Sequence, residues 1–196
     1  MSDIFENIQE KFDDSVNSEE YKSLLNYMKR SDIIIVTGNG GNYSIASHAA
    51  SDVTRLTNKF VISMDSMSYF SSVANDYGYN NIFTRWFDKM ESTFTKKKNV
   101  KVCVIGLSGS GNSKNIVSSL DGARDKGWDS ILISGKKSIC LPEGIDELCI
   151  NCESFHTAEL VTLMLFYQLV HDLGHECPTI DKEIRRKSKA PKALRG

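Results

Sequence analysis

Two hydrophobic periods alternate along this chain. Short β-branched runs read as buried strands: Ile33 to Val36, Phe60 to Met64, Lys101 to Leu107, Ser130 to Ser134 and Glu147 to Asn151. Between them, apolar residues recur every three or four positions. That spacing predicts helices over Tyr43–Leu56, Ser66–Ala74, Ile82–Met90, Lys114–Lys126 and Phe155–Leu173. Ahead of the first strand, Ile4, Ile8, Phe12 and Val16, then Tyr21, Leu24, Leu25 and Met28, fit two helices with a break near Asn17-Ser18. The alternation of strand and helix implies a parallel sheet covered by helices on both faces. The expected architecture is α/β: a three-layer αβα sandwich around a five-stranded parallel, flavodoxin-like sheet, with an N-terminal helical extension.

Two of these strands run into glycine-rich turns that open helices. The first strand ends in Thr37-Gly38-Asn39-Gly40-Gly41-Asn42 and the third in Ser108-Gly109-Ser110-Gly111-Asn112-Ser113. Glycine lets backbone approach a ligand, hydroxyls donate hydrogen bonds, and the first N–H groups of a helix carry positive partial charge. Such a turn suits a phosphate; taken singly, it is also a polar strand-to-helix turn with an N-cap serine. Two of them would open on the carboxyl edge of one sheet, where doubly wound folds bind ligands. Tyr43 replaces the third glycine of a dinucleotide fingerprint, and no Lys-Ser or Lys-Thr follows either loop. Ser110 breaks the nucleophile-elbow pattern around Ser108. What is left is a pocket for a small phosphorylated ligand.

The 196 residues fit one domain, expected over 1–180, followed by a basic tail over 181–196 containing Arg185, Arg186, Lys187, Lys189, Lys192 and Arg195. A net charge of −1 gives no global basic field, so no nucleic-acid partner is expected, and the tail reads as a solvated segment. The longest apolar run, Leu160 to Val170, is too short to span a bilayer, and the start at Met1 lacks the basic and apolar regions of a signal peptide. Five cysteines are an odd number; Cys103 and Cys149 lie in strand-like runs, and Cys149-Ile150-Asn151-Cys152 has redox spacing without opening a helix. A cytoplasmic protein with reduced thiols and no membrane partner is expected.

Within the helix leaving the first loop, His48 and Asp52 lie four apart and project from one face. Such a pair suits a metal or a base with its partner, and is equally a surface hydrogen-bonded pair. His171 and His175 flank Gly174 and read as a helix C-terminal cap.

Gly38-Asn39-Gly40-Gly41, Asn75-Asp76-Tyr77-Gly78-Tyr79 and the serine loop together resemble the sugar isomerase (SIS) domain family, and within it the phosphoheptose isomerases, over roughly Met28 to Val170. The resemblance implies a phosphate cradle at Ser108, Ser110 and Ser113, with Asn112 shaping the turn. It places Asn39, Gly40, Gly41 and Asn42 beside the sugar, Asn42 standing where the family usually has serine. Asp65 and Ser66 match an acidic-hydroxyl pair near the substrate. His48 matches a zinc-binding histidine, and Asp52 a glutamate that is catalytic base and metal ligand, one methylene longer than here.

On the last helix the chain departs from the family. An ungapped match anchored at Tyr167-Gln168-Leu169-Val170 puts His156 at a metal-binding glutamine and Met164 at the histidine implied as ligand and general acid. Methionine donates no proton. His156 then stands in, giving a His48, Asp52 and His156 zinc set with Asp52 and His156 as the catalytic groups; under a shifted register Glu159 or His171 would serve. The implied activity is aldose–ketose isomerisation of a phosphorylated sugar, most closely sedoheptulose 7-phosphate to a glycero-manno-heptose 7-phosphate. The alternative is a non-catalytic SIS module that binds a sugar phosphate or a partner protein, which Met164 favours and the pair His48/Asp52 opposes. Dehydrogenase chemistry is opposed by Tyr43. The resemblance also implies a homo-oligomer, a tetramer, and the apolar stripe of Ile4, Ile8 and Phe12 needs a surface to cover.

Overall fold

A computed structural model describes residues 7–94 and 100–179. Ile4 and the basic tail at 181–196 lie outside the described residues. The element order is α1 (Ile8–Val16), α2 (Glu19–Arg30), β1 (Ile33–Gly38), α3 (Gly41–Leu56), β2 (Phe60–Ile62), α4 (Met67–Tyr77), a 3-10 turn (Tyr79–Asn81), α5 (Ile82–Phe94), β3 (Val102–Ser108), α6 (Lys114–Asp125), β4 (Asp129–Ser134), β5 (Asp146–Cys149) and α7 (Phe155–Asp172). All five strands pair in parallel, in the order β2-β1-β3-β4-β5. From β1 the chain winds outward to β2, then returns to β3 and winds the other way, so the switch point lies between β1 and β3.

Alternation along the strands sorts the core into two layers. Ile34, Val36, Cys103, Ile105, Leu107, Ile131 and Ile133 face α2, α3 and α7. Ile35, Val102, Val104 and Leu132 face the other way, toward α5 and α6, with α4 side chains at the border. The three-layer sandwich expected from the sequence is the fold observed.

Local sequence explains the element ends. Ser18 caps α2 by accepting the Tyr21 N–H at 3.1 Å, and the break expected near Asn17-Ser18 falls there. Acidic Glu19 and Glu20 open α2, while Lys29 and Arg30 close it, each matching the helix dipole. The edge strand β2 is shorter than expected, pairing only Phe60 to Ile62 with Ile33 to Ile35. Helix α3 begins at Gly41 rather than Tyr43, because Gly40 turns through φ +56°, ψ −122°, a combination only glycine adopts freely. Strand β5 ends at Cys149, and Asn151 turns away in the left-handed region. At its far end α7 stops in a glycine cap at Gly174, with the His175 N–H bonded to the Val170 carbonyl.

The described part of the N-terminal stripe has its cover within the chain. Ile8, Phe12 and Val16 pack on the α2/α3/α7 layer, so these residues do not themselves call for a neighbouring subunit. None of the five cysteines forms a disulfide, Cys149 and Cys152 included. Among the described residues, no helix is long and apolar enough to cross a membrane.

Candidate functional site

The two glycine-rich loops meet across the switch point. Gly38, the last residue of β1, is in register with Leu107 of β3, so both loops leave the same edge side by side. A reciprocal amide pair ties them: Asn39 Nδ2 donates to Asn115 Oδ1 at 2.9 Å, and Asn115 Nδ2 donates back to Asn39 Oδ1 at 2.8 Å. The Tyr79 hydroxyl donates to the same Asn39 oxygen at 2.9 Å. Asn115 is only 2% exposed. The Asn39 side chain, implied as a sugar contact, is therefore a brace between loops. Neither Asn115 nor Tyr79 was assigned a role from sequence; an amide one residue before Ile116, at the start of an otherwise apolar helix face, was the available signal.

Close packing fixes the glycine loop. A Cβ on Gly38 would meet the backbone carbonyl of Asn42, and Asn42 itself is buried. Gly40 faces open space.

The serine loop is organised from inside. Buried Ser108 donates from Oγ to Ser113 Oγ at 2.9 Å, which turns the Ser113 hydroxyl away from capping α6. Asn112 is fully engaged: its amide donates to the Ser110 carbonyl at 2.8 Å, and its Oδ1 accepts the Ile139 N–H at 3.0 Å, with Ser138 Oγ and Cys140 Sγ each at 3.3 Å. Asn112 thus shapes the turn and pins it to the segment after β4. Ser110 is left exposed at the tip. Beside it opens a cavity of about 310 Å³ lined by Gly109, Ser110, Asn112, Lys136, Lys137 and Phe155. The lysines, unassigned from sequence, reach the cavity from the turn after β4. Buried Glu147 holds that turn, accepting from Ser134 Oγ and the Ser138 N–H, each at 2.7 Å, and pairing with Lys137 at 3.0 Å. This bond to Glu147 raises the Lys137 ammonium above its usual value. Lys136 pairs with Glu153.

Helix α7 starts directly over this edge. Phe155 fills the space a Cβ on Gly109 would need, Ala158 does the same at Gly135, and the Glu159 carboxylate does so at Gly41. One and a half turns of α7 thus touch the loops after β1, β3 and β4.

Further along α3, His48 Nε2 lies 3.5 Å from Asp52 Oδ2, as the four-residue spacing requires. The third member comes from α7: His48 Nε2 and the Tyr167 hydroxyl share a hydrogen bond of 2.9 Å. Burial pushes the Tyr167 phenol up, and Asp52 reinforces the shift by charge and hydrogen bonding. Asp52 Oδ1 accepts from Arg55 at 2.7 Å. The residue that α7 presents to His48 is therefore Tyr167, one turn beyond Met164.

The set implied for zinc is not brought together. The His156 side chain is 81% exposed at the first turn of α7 and reaches only Glu159, Nδ1 to Oε2 at 3.9 Å. Among the described residues no three His, Cys, Asp or Glu side chains gather as a metal set. With Arg55 on Asp52 and Tyr167 on His48, the residues as placed do not fit a zinc ion. What they offer is a carboxylate, an imidazole and a phenol in mutual reach.

The remaining candidates lie toward the β2 edge. Ser66 is the N-cap of α4, accepting the Tyr69 N–H at 3.3 Å, and Asp65 accepts from Ser63 Oγ at 2.9 Å. Burial, with the Asp65 charge adding to it, raises the Tyr43 phenol. Between this edge and the glycine loop lies a cavity of about 220 Å³ with Tyr43, Met67, Phe70 and Tyr79 in its wall. A larger cavity, about 570 Å³, opens at the opposite, amino edge of the sheet, where Arg30 and Asp129 neutralise each other away from both loops.

No family model matches the chain. It is 30% identical to the phosphoheptose isomerase of Haemophilus ducreyi over 118 residues, 58% of this chain and 57% of that relative. It is 27% identical to the phosphoheptose isomerase of Hamiltonella defensa over 173 residues, 82% of this chain and 81% of the relative. The solved structure of a phosphoheptose isomerase from Francisella tularensis has a TM-score of 0.69 at 18% identity, covering 86% of this chain and 93% of that one; at that identity the likeness speaks for the fold.

Proposed function

From the sequence similarity to phosphoheptose isomerases and the shared fold, we propose that the chain is an SIS-domain aldose–ketose isomerase of a phosphorylated sugar, interconverting sedoheptulose 7-phosphate and a glycero-manno-heptose 7-phosphate. The observation that carries this reading is the hydrogen bond between His48 and Tyr167 beside Asp52, on the helix that leaves the glycine loop. Ser110 and Ser113 hold the phosphate, with Ser108 bonded beneath Ser113, at a cavity where Lys136 and Lys137 balance the carboxylates of Glu153 and Glu147. Asp52 takes the proton from the carbon beside the carbonyl, while the carbonyl oxygen takes one from the Tyr167 phenol. The enediol so formed returns its other hydroxyl proton to the Tyr167 phenolate as the proton held by Asp52 passes to the neighbouring carbon, so both groups end as they began with no co-reactant. Tyr167 thereby supplies the acid that Met164 cannot. As in the oligomers the family resemblance implies, the chain assembles with copies of itself.

The test is an isomerisation assay with sedoheptulose 7-phosphate on the full chain. Tyr167→Phe should lower turnover about 10²- to 10⁴-fold while the affinity for the sugar phosphate persists. A wild-type chain that binds the sugar phosphate and never turns it over would favour a second reading, a non-catalytic sugar-phosphate module. The Arg55 guanidinium on Asp52 is the observation behind that alternative, since it satisfies the carboxylate within its own helix.

A further inference from the structure

The Glu159 carboxylate rests on Gly41, the first residue of α3, in the space a side chain there would occupy. One turn earlier, Phe155 rests in the same way on Gly109 of the serine loop. Glu159 therefore stands at the glycine loop while its own helix closes the cavity beside Ser110. Its side chain is 27% exposed, and its ion pair among the described residues is the long one to solvent-exposed His156. A carboxylate so placed is an acceptor-only group with two oxygens set for adjacent donors.

We infer that Glu159 is the specificity residue of this site: it accepts hydrogen bonds from neighbouring hydroxyls of the ligand's carbon chain and turns phosphate away from the glycine loop. This rests on the sugar-phosphate reading. A phosphate dianion beside this carboxylate is repelled, whereas at the serine loop Lys136 and Lys137 balance the carboxylates of Glu153 and Glu147, so no net negative charge meets it there. The two loops are alike in sequence, and Glu159 makes them unlike in charge. A sugar phosphate then binds in one orientation, phosphate at Ser110 and polyol at Gly41, and a second phosphate at the polyol end is rejected.

Calorimetric titration of the full chain with sedoheptulose 7-phosphate and with inorganic phosphate tests this. Glu159→Ala should weaken the sugar phosphate about ten- to a hundredfold, the loss of hydrogen bonds to a charged group, and leave inorganic phosphate within about twofold of wild type. Glu159→Gln, which keeps one acceptor and removes the charge, should lose less for the sugar phosphate and bind a sugar bisphosphate better than wild type does. Unchanged sugar-phosphate affinity in Glu159→Ala, or an equal loss for both ligands, overturns the inference while the sugar-phosphate reading stands. A wild-type chain that binds neither ligand overturns both.

Discussion

Asn39 and Asn115 exchange two amide hydrogen bonds across the boundary between β1 and β3, joining the ends of two loops 76 residues apart in sequence. The pair works because each amide carries both donor N–H groups and an acceptor oxygen, so two of them can bond reciprocally. Asn115→Ala removes both bonds and leaves Asn39 Nδ2 without its partner. We expect a loss of about 1–3 kcal/mol in urea unfolding. Asn115→Asp should be worse than loss of the pair would suggest, because it turns an acceptor toward Asn39 Oδ1, which already receives Tyr79.

Ser110 and Ser108 should separate binding from stability. Ser110 is exposed at the loop tip, so Ser110→Ala should leave the unfolding midpoint near wild type and weaken sugar-phosphate binding about ten- to a hundredfold. Ser108 is buried and bonded to Ser113, so Ser108→Ala should lower both. Equal affinity of Ser110→Ala and wild type in titration would remove the serine loop from the site.

Gly106 and Gly109 sit three residues apart and should respond differently to alanine. At Gly106 a Cβ would press on Ile116 and Leu120, both fully buried under β3. Overpacking there should cost about 1–3 kcal/mol. At Gly109 the obstacle is the Phe155 ring, which is 64% exposed and can swing outward. Gly109→Ala should therefore change ligand affinity more than stability, as paired thermal unfolding and titration would show.

At the other end of the sheet, the Tyr27 hydroxyl donates to Asp146 at 2.7 Å. Burial first, then this carboxylate, pushes its phenol from 10.0 up to about 12. The folded state thus holds the proton more tightly than the unfolded chain. Its stabilising contribution is present below pH 10.0 and is lost as pH rises through about 12. Unfolding free energies measured across that window should fall less steeply in Tyr27→Phe; parallel slopes would contradict the assignment.

The strands were legible because β-branched runs buried on both faces leave little alternative, and the serine and glycine loops because glycine at a strand end has few other uses. Less legible was anything set by the rotation of α7. Val161, Leu165, Phe166 and Leu169 are buried, but Leu160, Leu163 and Met164 make much of its remaining circumference apolar as well. Such a helix carries no clear stripe, so its pattern does not say which residue meets His48. A slip of three residues on that helix separates Met164 from Tyr167, and His156 from Glu159. Asn115 was hidden for another reason: a buried amide looks polar in sequence, and only the partner from another loop explains its burial. The cover for Ile8 and Phe12 likewise became visible only with α7 in place beside α1.

Because Phe155, Ala158 and Glu159 each seat on a glycine of a different loop, the chain at 41, 109 and 135 behaves as one clamp with a single jaw. A ligand seated in the cavity against the first turn of α7 bears on the same turn that rests on Gly41 and Gly135. Specificity can then change by replacing side chains on that jaw, with the sheet beneath untouched. Occupancy at the serine loop should also slow amide hydrogen exchange at all three glycines together, although their strands carry no ligand contact in common.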